Sequence, residues 1–293
     1  MKFQKQKAKS LIRIYMELSK FNILSLVLVA TLLGYFLGNM GWGSWELLFF
    51  TLLGTSLTSA GSGALNHFIE REPDGLMERT KNRPLPAQLI SPIHVLFFGV
   101  ILAVSGILLL VWKVNLLTGF LSLLTAFLYI TVYTPLKKVT WLNTSIGSIP
   151  GALPIMGGWA AATGEIGTMA WILFGIMYLW QHPHFYAIAW MCKDDYARAD
   201  FKMLPVIEPD GVRTIRQIFW HLLLMIPLSI LPVIEGSLGN IYLVGTIIIS
   251  SAFFLSAIPL AKDKSRKSAL LLLKASVFYL PALLIIIIVD LGV

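Results

Sequence analysis

Three oxygen-bearing side chains follow one another at a spacing of four residues in the charged segment GSGALNHFIEREPDGLMERTKNRPLP, residues 61–86. Asn66 and Glu70 share one face of a helix at this spacing, and Asp74 follows four residues later. Because Pro73 would block a helical hydrogen bond, we expect Asp74 just past the helix end, turned back toward the same pocket. Amide and carboxylate oxygens suit Mg²⁺, which one or two carboxylates hold together with substrate phosphates. The segment predicts a metal-bound diphosphate site.

Three cations follow directly in ERTKNRPLP, namely Arg79, Lys81 and Arg83. Their forked or point-like donors match the phosphate oxygens that a metal leaves uncovered. An ordinary solvated loop that anchors helix ends at the lipid headgroups would carry similar charges. The close mixture of acids and bases favours the anion site.

A second charged segment, WQHPHFYAIAWMCKDDYARADFKMLP, covers residues 180–205. Asp194 and Asp195 come at the end of an apolar run, and Arg198 and Lys202 follow at near-helical spacing. Two acidic clusters on the same membrane face could hold one metal-bound anion from both sides. We therefore predict that the two segments act together.

The apolar part of the second segment contains two histidines, His182 and His184. Ionisable residues inside an apolar helix usually face the bundle interior, where they act either as hydrogen-bonded core residues or as contacts to a metal or haem. Their i, i+2 spacing does not suit a helical zinc pair. We predict interfacial roles for His67, His94 and His221.

Between these segments lies YTPLKKVTWLN, in which Tyr133 and Lys137 are four residues apart. A lysine here could balance a diphosphate, or it could simply anchor a helix end on a positively charged face.

The elements that carry these motifs must lie in a membrane. Of the 293 residues, 57% are hydrophobic and only 13% are charged, against about a quarter charged in soluble proteins. We predict an all-α bundle of about nine transmembrane helices in a single domain, 1–293. The runs long enough to cross a bilayer are 21–38, 46–66, 92–112, 115–134, 147–163, 168–191, 217–234, 239–261 and 268–289.

The fifth run, IGSIPGALPIMGGWAA, has two prolines and four glycines, which is tolerable only where neighbouring helices or a cavity satisfy the backbone. We expect it to line the interior. The single cysteine, Cys192, excludes an internal disulfide. The net charge of +8 is explained by membrane topology without a nucleic-acid partner.

Charge orients the predicted helices. Of the 23 lysines and arginines, all but Lys113 fall on one side of the nine spans. The positive-inside rule then places the N-terminus and both charged segments inside and the C-terminus outside. The first apolar run lacks a small-residue cleavage pattern, so we expect a retained helix rather than a signal peptide.

Together these motifs resemble those of the UbiA-type intramembrane prenyltransferases, with Asn66-x-x-x-Glu70-x-x-x-Asp74, Tyr133-x-x-x-Lys137 and KDDYARAD. Within that family ERTKNRPLP, IGSIPGALPIMGGWAAATG and WQHPHFYAIA are most similar to the branch that farnesylates haem. The resemblance implies transfer of farnesyl from farnesyl diphosphate to the 2-vinyl group of haem B, giving haem O for haem A and terminal oxidases. It also implies a multi-pass protein of the bacterial inner membrane with a cytoplasmic active site and haem A synthase as a partner.

The resemblance further implies the roles of individual residues. The ligands of Mg²⁺ and diphosphate would be Asn66, Glu70, Asp74, Asp194 and Asp195. The contacts to phosphate would come from Arg79, Arg83, Tyr133, Lys137, Arg198 and Lys202. His184 would lie near the haem or the diphosphate.

Three other functions stay open. A prenyltransferase for a quinone precursor would share the fold but need a small aromatic pocket. A transporter would carry charges through the bilayer and paired broken helices, whereas here the charges crowd at one face. A non-catalytic haem-handling protein would not need the acidic motifs.

Overall fold

The computed structural model describes residues 10–292, and this part of the chain folds into helices without a β-strand. Nine long helices follow the order of the nine predicted runs. They are α1 (Phe21–Gly38), α2 (Trp45–Ile69), α3 (Pro92–Lys113), α4 (Leu116–Leu136), α5 (Asn143–Thr163), α6 (Thr168–Met191), α7 (Val212–Leu228), α8 (Asn240–Asp263) and α9 (Arg266–Leu291). The all-α prediction is confirmed; the basic segment 1–9 used for the topology lies outside the described residues.

Seven of these helices, all except α5 and α6, are long and apolar enough to cross a membrane within the described part of the chain. The two exceptions have the length but less apolar sequences, because they carry the prolines, glycines and histidines of the bundle interior. The protein is therefore a multi-pass membrane protein. A count of nine crossings and the orientation of the termini stay predictions.

Helix α5 lies in the interior, as its glycines and prolines predicted. Its backbone touches that of α1, because a Cβ on Gly34 would lie 1.9 Å from the carbonyl oxygen of Ile155. Likewise, a Cβ on Gly158 would lie 1.9 Å from the carbonyl oxygen of Thr31. Small residues permit this close helix packing in a membrane. Other residues of α5, among them Gly147 and Gly157, line a cavity.

Helix α2 ends at Ile69 and the chain continues, after Glu70, into a short helix from Arg71 to Leu76. The Asp74 amide donates to the Glu70 carbonyl at 2.8 Å. The helix ends ahead of Asp74 and Asp74 lines the same cavity as Glu70, as expected, but the chain restarts as a short helix that contains Pro73 and Asp74. Proline is tolerated in the first turn of a new helix, where its missing amide has no intrahelical partner anyway.

Near its C-terminal end, α4 contains a six-residue π-helical segment, Leu128–Tyr133. Short π-helical segments are rare and often mark functional sites. Here both tyrosines of the segment, Tyr129 and Tyr133, line the cavity with their ring centroids 5.7 Å apart. The segment thus places two aromatic rings beside the charged motifs.

Candidate active site

A cavity of about 350 Å³ runs between helices α1 to α6. One end is charged, and the side chains that line it include Glu70, Asp74, Arg79, Arg83 and Lys137. The other end reaches Leu110, Thr118 and Leu121, which belong to the far halves of α3 and α4. The site is a channel with an ionic mouth and a mainly apolar depth.

Glu70 and Lys137 form a buried ion pair across the mouth, with 2.6 Å between Oε1 and Nζ. Burial raises the pKa of Glu70, but Lys137 and Lys20 outweigh burial and hold the pKa below its usual value. For Lys137, burial lowers the pKa while Glu70 raises it above its usual value. Both side chains are therefore charged, and the Tyr133 ring lies 4.7 Å from the ammonium.

Asp74 is fully buried and paired with Arg83, whose Nη1 lies 2.8 Å from each carboxylate oxygen. Thr80 donates its hydroxyl to the Asp74 carbonyl at 2.8 Å. These two bonds fold the ERTKNRP segment back over the short helix. Arg79 and Arg83 thus reach the mouth, whereas Lys81 pairs with Glu78 outside the cavity.

Asn66 lies behind the mouth and is fully buried. Its amide oxygen accepts a hydrogen bond from Lys20, and its amide nitrogen donates to the Thr134 hydroxyl at 2.9 Å. Lys20, which the sequence analysis left out of the site, also lies 3.4 Å from the Tyr129 hydroxyl. Burial lowers the pKa of Lys20 to about 7.

The second charged segment closes over the first through Asp195. Its carboxylate accepts hydrogen bonds from the backbone amides of Glu78 at 2.9 Å and Arg79 at 3.4 Å. Arg198 also donates to it at 2.9 Å. Asp194 is exposed. The structure therefore brings Asp195 to the mouth as a tether of the first segment and leaves Asp194 outside.

Lys202 contacts the site through its backbone. Its amide donates to the Lys137 carbonyl at 2.6 Å, and its carbonyl accepts from Asn143 at 3.0 Å. The Lys202 side chain instead pairs with Asp200 at 2.6 Å on the surface. Tyr196 and Phe201 from the same segment do line the cavity, which the charge pattern had not indicated.

His184 lines the cavity and is more than nine-tenths buried. Its Nδ1 lies 2.7 Å from the Ser276 hydroxyl on α9. His182 points elsewhere: its two nitrogens contact the Tyr178 carbonyl and the Ser145 hydroxyl. His182 is thus a hydrogen-bonded core residue, one of the two roles that the sequence left open.

The interfacial role predicted for His67 is wrong, whereas that of His221 stays a prediction. The His67 ring is buried beneath Asp74, with 3.8 Å between Nδ1 and Oδ2. The His221 ring stacks on His182 with centroids 3.6 Å apart. His67 is buried and His221 half-buried, and spacing along one helix reveals neither contact. His94 is exposed at the start of α3.

The donor set at the mouth suits a cation only together with a substrate. Among residues 10–292 no three His, Cys, Asp or Glu side chains are grouped so as to hold a metal by themselves. Two carboxylates, Glu70 and Asp74, line the cavity, and the Asn66 amide lies behind them. One or two carboxylates completed by phosphate oxygens are the usual environment of Mg²⁺. The residues therefore fit a magnesium diphosphate.

A helical membrane bundle with a charged mouth above an apolar channel is the architecture of an intramembrane prenyltransferase. Residues 27–280 match the model of the UbiA prenyltransferase family, and the chain belongs to that family.

Two bacterial relatives align with this chain at 41% and 43% sequence identity. Protoheme IX farnesyltransferase of Solibacter usitatus is 41% identical over 287 residues, covering 95% of this chain and 98% of the relative. The protein of the same name from Salinibacter ruber is 43% identical over 276 residues, covering 94% and 98%. These matches run across nearly the whole of both chains.

Solved structures share the fold at low identity. A digeranylgeranylglyceryl phosphate synthase aligns with a TM-score of 0.78 at 18% identity, covering 96% of this chain and 98% of the other. A UbiA homolog from Archaeoglobus fulgidus bound to DMAPP and Mg²⁺ aligns with a TM-score of 0.69 at 15% identity, covering 93% and 98%. The fold predicted from the resemblance is confirmed.

Proposed function

We propose that this chain transfers a farnesyl group from farnesyl diphosphate to the 2-vinyl group of haem B, which gives haem O. The observation that carries the proposal is a cavity that joins an ionic mouth to an apolar channel. The names of the Solibacter and Salinibacter relatives support haem as the acceptor.

At the mouth, each acidic group of the first segment is held by a cation: Glu70 by Lys137 and Asp74 by Arg83. When the diphosphate enters, these cations turn from carboxylate to phosphate oxygens, and Lys20 and Arg79 lie on the same wall. Glu70 and Asp74, with Asn66 behind them, are then free to hold Mg²⁺. Bound Mg²⁺ would supply charge neutralisation for the departing diphosphate.

The channel provides the conditions for ionisation. The bond between C1 and oxygen breaks with its electron pair leaving on the diphosphate, while apolar walls keep water from the allylic cation. The Tyr129 and Tyr133 rings line this part of the cavity and offer π-faces to positive charge. The vinyl π-pair forms the new carbon–carbon bond, so no activated side-chain nucleophile is required. Water then adds to the resulting porphyrin-side cation and loses a proton, giving the hydroxyl.

From the second segment we assign Asp195 and Arg198 to the diphosphate site; Asp194 and Lys202, whose side chains lie on the surface, would join it only when the segment closes over the diphosphate. Asp195 lies nearest, because it touches the backbone of the first segment. We further propose that the protein is a single domain in the bacterial inner membrane. Its active site would lie on the cytoplasmic face. Haem A synthase would consume the product.

The experiment combines purified protein, haem B, farnesyl diphosphate and Mg²⁺. We expect a porphyrin product heavier by one farnesyl group and one hydroxyl, and no product in excess chelator or with Asp74→Ala. His94→Ala, at an exposed position outside the cavity, is the matched control and should turn over normally. Full turnover by Asp74→Ala or in chelator would refute the magnesium diphosphate site.

A further inference from the structure

His184 has its hydrogen-bonding state fixed by α9. The Ser276 hydroxyl lies 2.6 Å from the Leu273 carbonyl and gives its only proton to that oxygen. It can then only accept from His184, so Nδ1 carries the imidazole proton. The remaining nitrogen, Nε2, therefore presents a lone pair.

The Nε2 lone pair is available to a ligand in the cavity. Of the histidines in residues 10–292, His184 alone lines the cavity. No protein hydrogen bond to its Nε2 occurs among the described residues, although the imidazole is more than nine-tenths buried. Unlike the two His67 nitrogens, Nε2 of His184 is not sealed inside the protein, so its lone pair stays open to a ligand that enters the cavity.

The ring is also held in orientation. Trp180, one turn earlier on α6, stacks on it with 5.0 Å between centroids and 23° between planes. The Trp180 indole donates to the Ser276 backbone carbonyl at 2.9 Å. One residue of α9 therefore fixes both the imidazole and the ring that it stacks on.

A histidine that donates Nδ1–H to a fixed acceptor and directs Nε2 into a cavity has the arrangement typical of metal-ligating histidines. The geometry points to Nε2 of His184 as an axial ligand of the iron in the haem acceptor. This inference rests on the proposed function, since it assumes that haem is the acceptor. His184 would hold the macrocycle by its iron and leave the vinyl edge to reach the mouth. Neutral imidazole is the ordinary protein ligand of haem iron.

The test is a haem titration of purified protein without farnesyl diphosphate, followed by absorption and magnetic circular dichroism. We expect the wild-type protein to give the spectrum of histidine-ligated haem. His184→Ala should bind haem at least tenfold more weakly and should lack that spectral signature. Added imidazole should restore the signature in this variant. His94→Ala, which removes an exposed histidine on α3, should match the wild type.

Two further measurements keep the inference testable if His184→Ala folds poorly. Wild-type protein should bind haem at least tenfold more tightly than metal-free protoporphyrin IX, because only haem offers iron to Nε2. Ser276→Ala should weaken haem binding less than His184→Ala does, because this variant no longer fixes the imidazole proton on Nδ1 but keeps the imidazole that binds the iron. Equal affinity for haem and the metal-free porphyrin, or an unchanged spectrum in His184→Ala, would overturn the inference. Turnover of wild-type protein, measured separately, decides the proposed function.

Discussion

Glu70 follows the end of α2 and Lys137 the end of α4, and these two residues, 67 positions apart, meet in an ion pair of 2.6 Å at the cavity mouth. The Glu70 side chain is 7% exposed and that of Lys137 13% exposed. Together with the pair formed by Asp74 and Arg83, this contact neutralises both carboxylates of the mouth, while Arg79 and Lys20 line the cavity outside these two pairs. A diphosphate therefore meets cations that are not held by the Glu70 and Asp74 carboxylates, and it can gain Lys137 and Arg83 only by exchanging partners with those carboxylates.

Removing one partner of the Glu70–Lys137 pair should destabilise the protein strongly. We expect Lys137→Met or Glu70→Gln alone to lower the free energy of unfolding by about 3–5 kcal/mol, because each leaves an uncompensated buried group. The double variant should lose less than the sum of the two. The free energy of unfolding of the wild type, the two single variants and the double variant is measured in mixed detergent micelles. Strictly additive losses would show that the two side chains do not interact.

The role of Asp195 in tethering the first segment can be distinguished from metal binding by comparing Asp195 with its neighbour Asp194. Asp195→Ala should raise hydrogen exchange at the Glu78 and Arg79 amides at least tenfold, because those amides lose their acceptor. Asp194→Ala should leave this exchange unchanged, since Asp194 is exposed.

A magnesium titration of activity then tests the proposed ligand role of Asp194. If it is a ligand, Asp194→Ala should raise the Mg²⁺ requirement about 10- to 100-fold while the first segment stays ordered. An unchanged Mg²⁺ requirement would remove Asp194 from the metal site. Equal exchange at Glu78 in both variants would contradict the tether.

The pKa of Lys20 predicts a pH-dependent stability. Burial lowers this pKa to about 7, whereas an unfolded lysine titrates near about 10.4. Between these values the unfolded chain binds more protons, so stability rises with pH; the cost of the buried charge grows as pH falls and is complete below about pH 7.

The measurement is the free energy of unfolding of wild type minus that of Lys20→Met at pH 7, 8 and 9. We expect the difference to rise by up to about 1.4 kcal/mol per pH unit in favour of the wild type. A difference independent of pH would mean that Lys20 titrates like an exposed lysine.

The depth of the channel should set the length of the prenyl chain. Gly157 lines the cavity on α5, and a Cβ there would meet no atom within 4 Å. A Cβ at position 157 therefore has open space, and the ring of Gly157→Phe would extend from it into the channel. We expect kcat/KM for farnesyl diphosphate to fall about 10- to 100-fold, as overpacking of about 1–3 kcal/mol implies, with geranyl diphosphate much less affected.

Leu123→Phe is the matched control for this substitution, because Leu123 is 51% exposed on α4 and lies outside the cavity. It should leave the use of both diphosphates unchanged. An equal loss for geranyl and farnesyl diphosphates in Gly157→Phe would contradict a channel that measures chain length.

Much of the fold could be predicted because hydrophobic runs and glycine patterns are local. The nine runs anticipated the nine long helices of the described chain, and the proline-rich fifth run identified α5 as an interior helix. The first-segment motif was visible for the same reason, since Asn66, Glu70 and Asp74 keep helical spacing. Periodicity did not predict the helix restart at Arg71, because a proline can either end one helix or begin the next.

Contacts between distant segments could not be predicted from spacing. Lys20 reaches Asn66 across 46 residues of chain, and Ser276 reaches His184 across 92. The tether depends on backbone amides of Glu78 and Arg79, which no side-chain pattern encodes. Charge did identify Asp194 and Asp195 together, but only packing distinguishes the exposed carboxylate from the bound one.

The most direct test of the proposed function is a competition between acceptors. Purified protein with Mg²⁺ and farnesyl diphosphate is given equimolar haem B and a 4-hydroxybenzoate quinone precursor, and both are analysed by mass spectrometry. Farnesylated haem with unmodified 4-hydroxybenzoate is the predicted result. Farnesylated 4-hydroxybenzoate with unmodified haem would contradict haem as the acceptor.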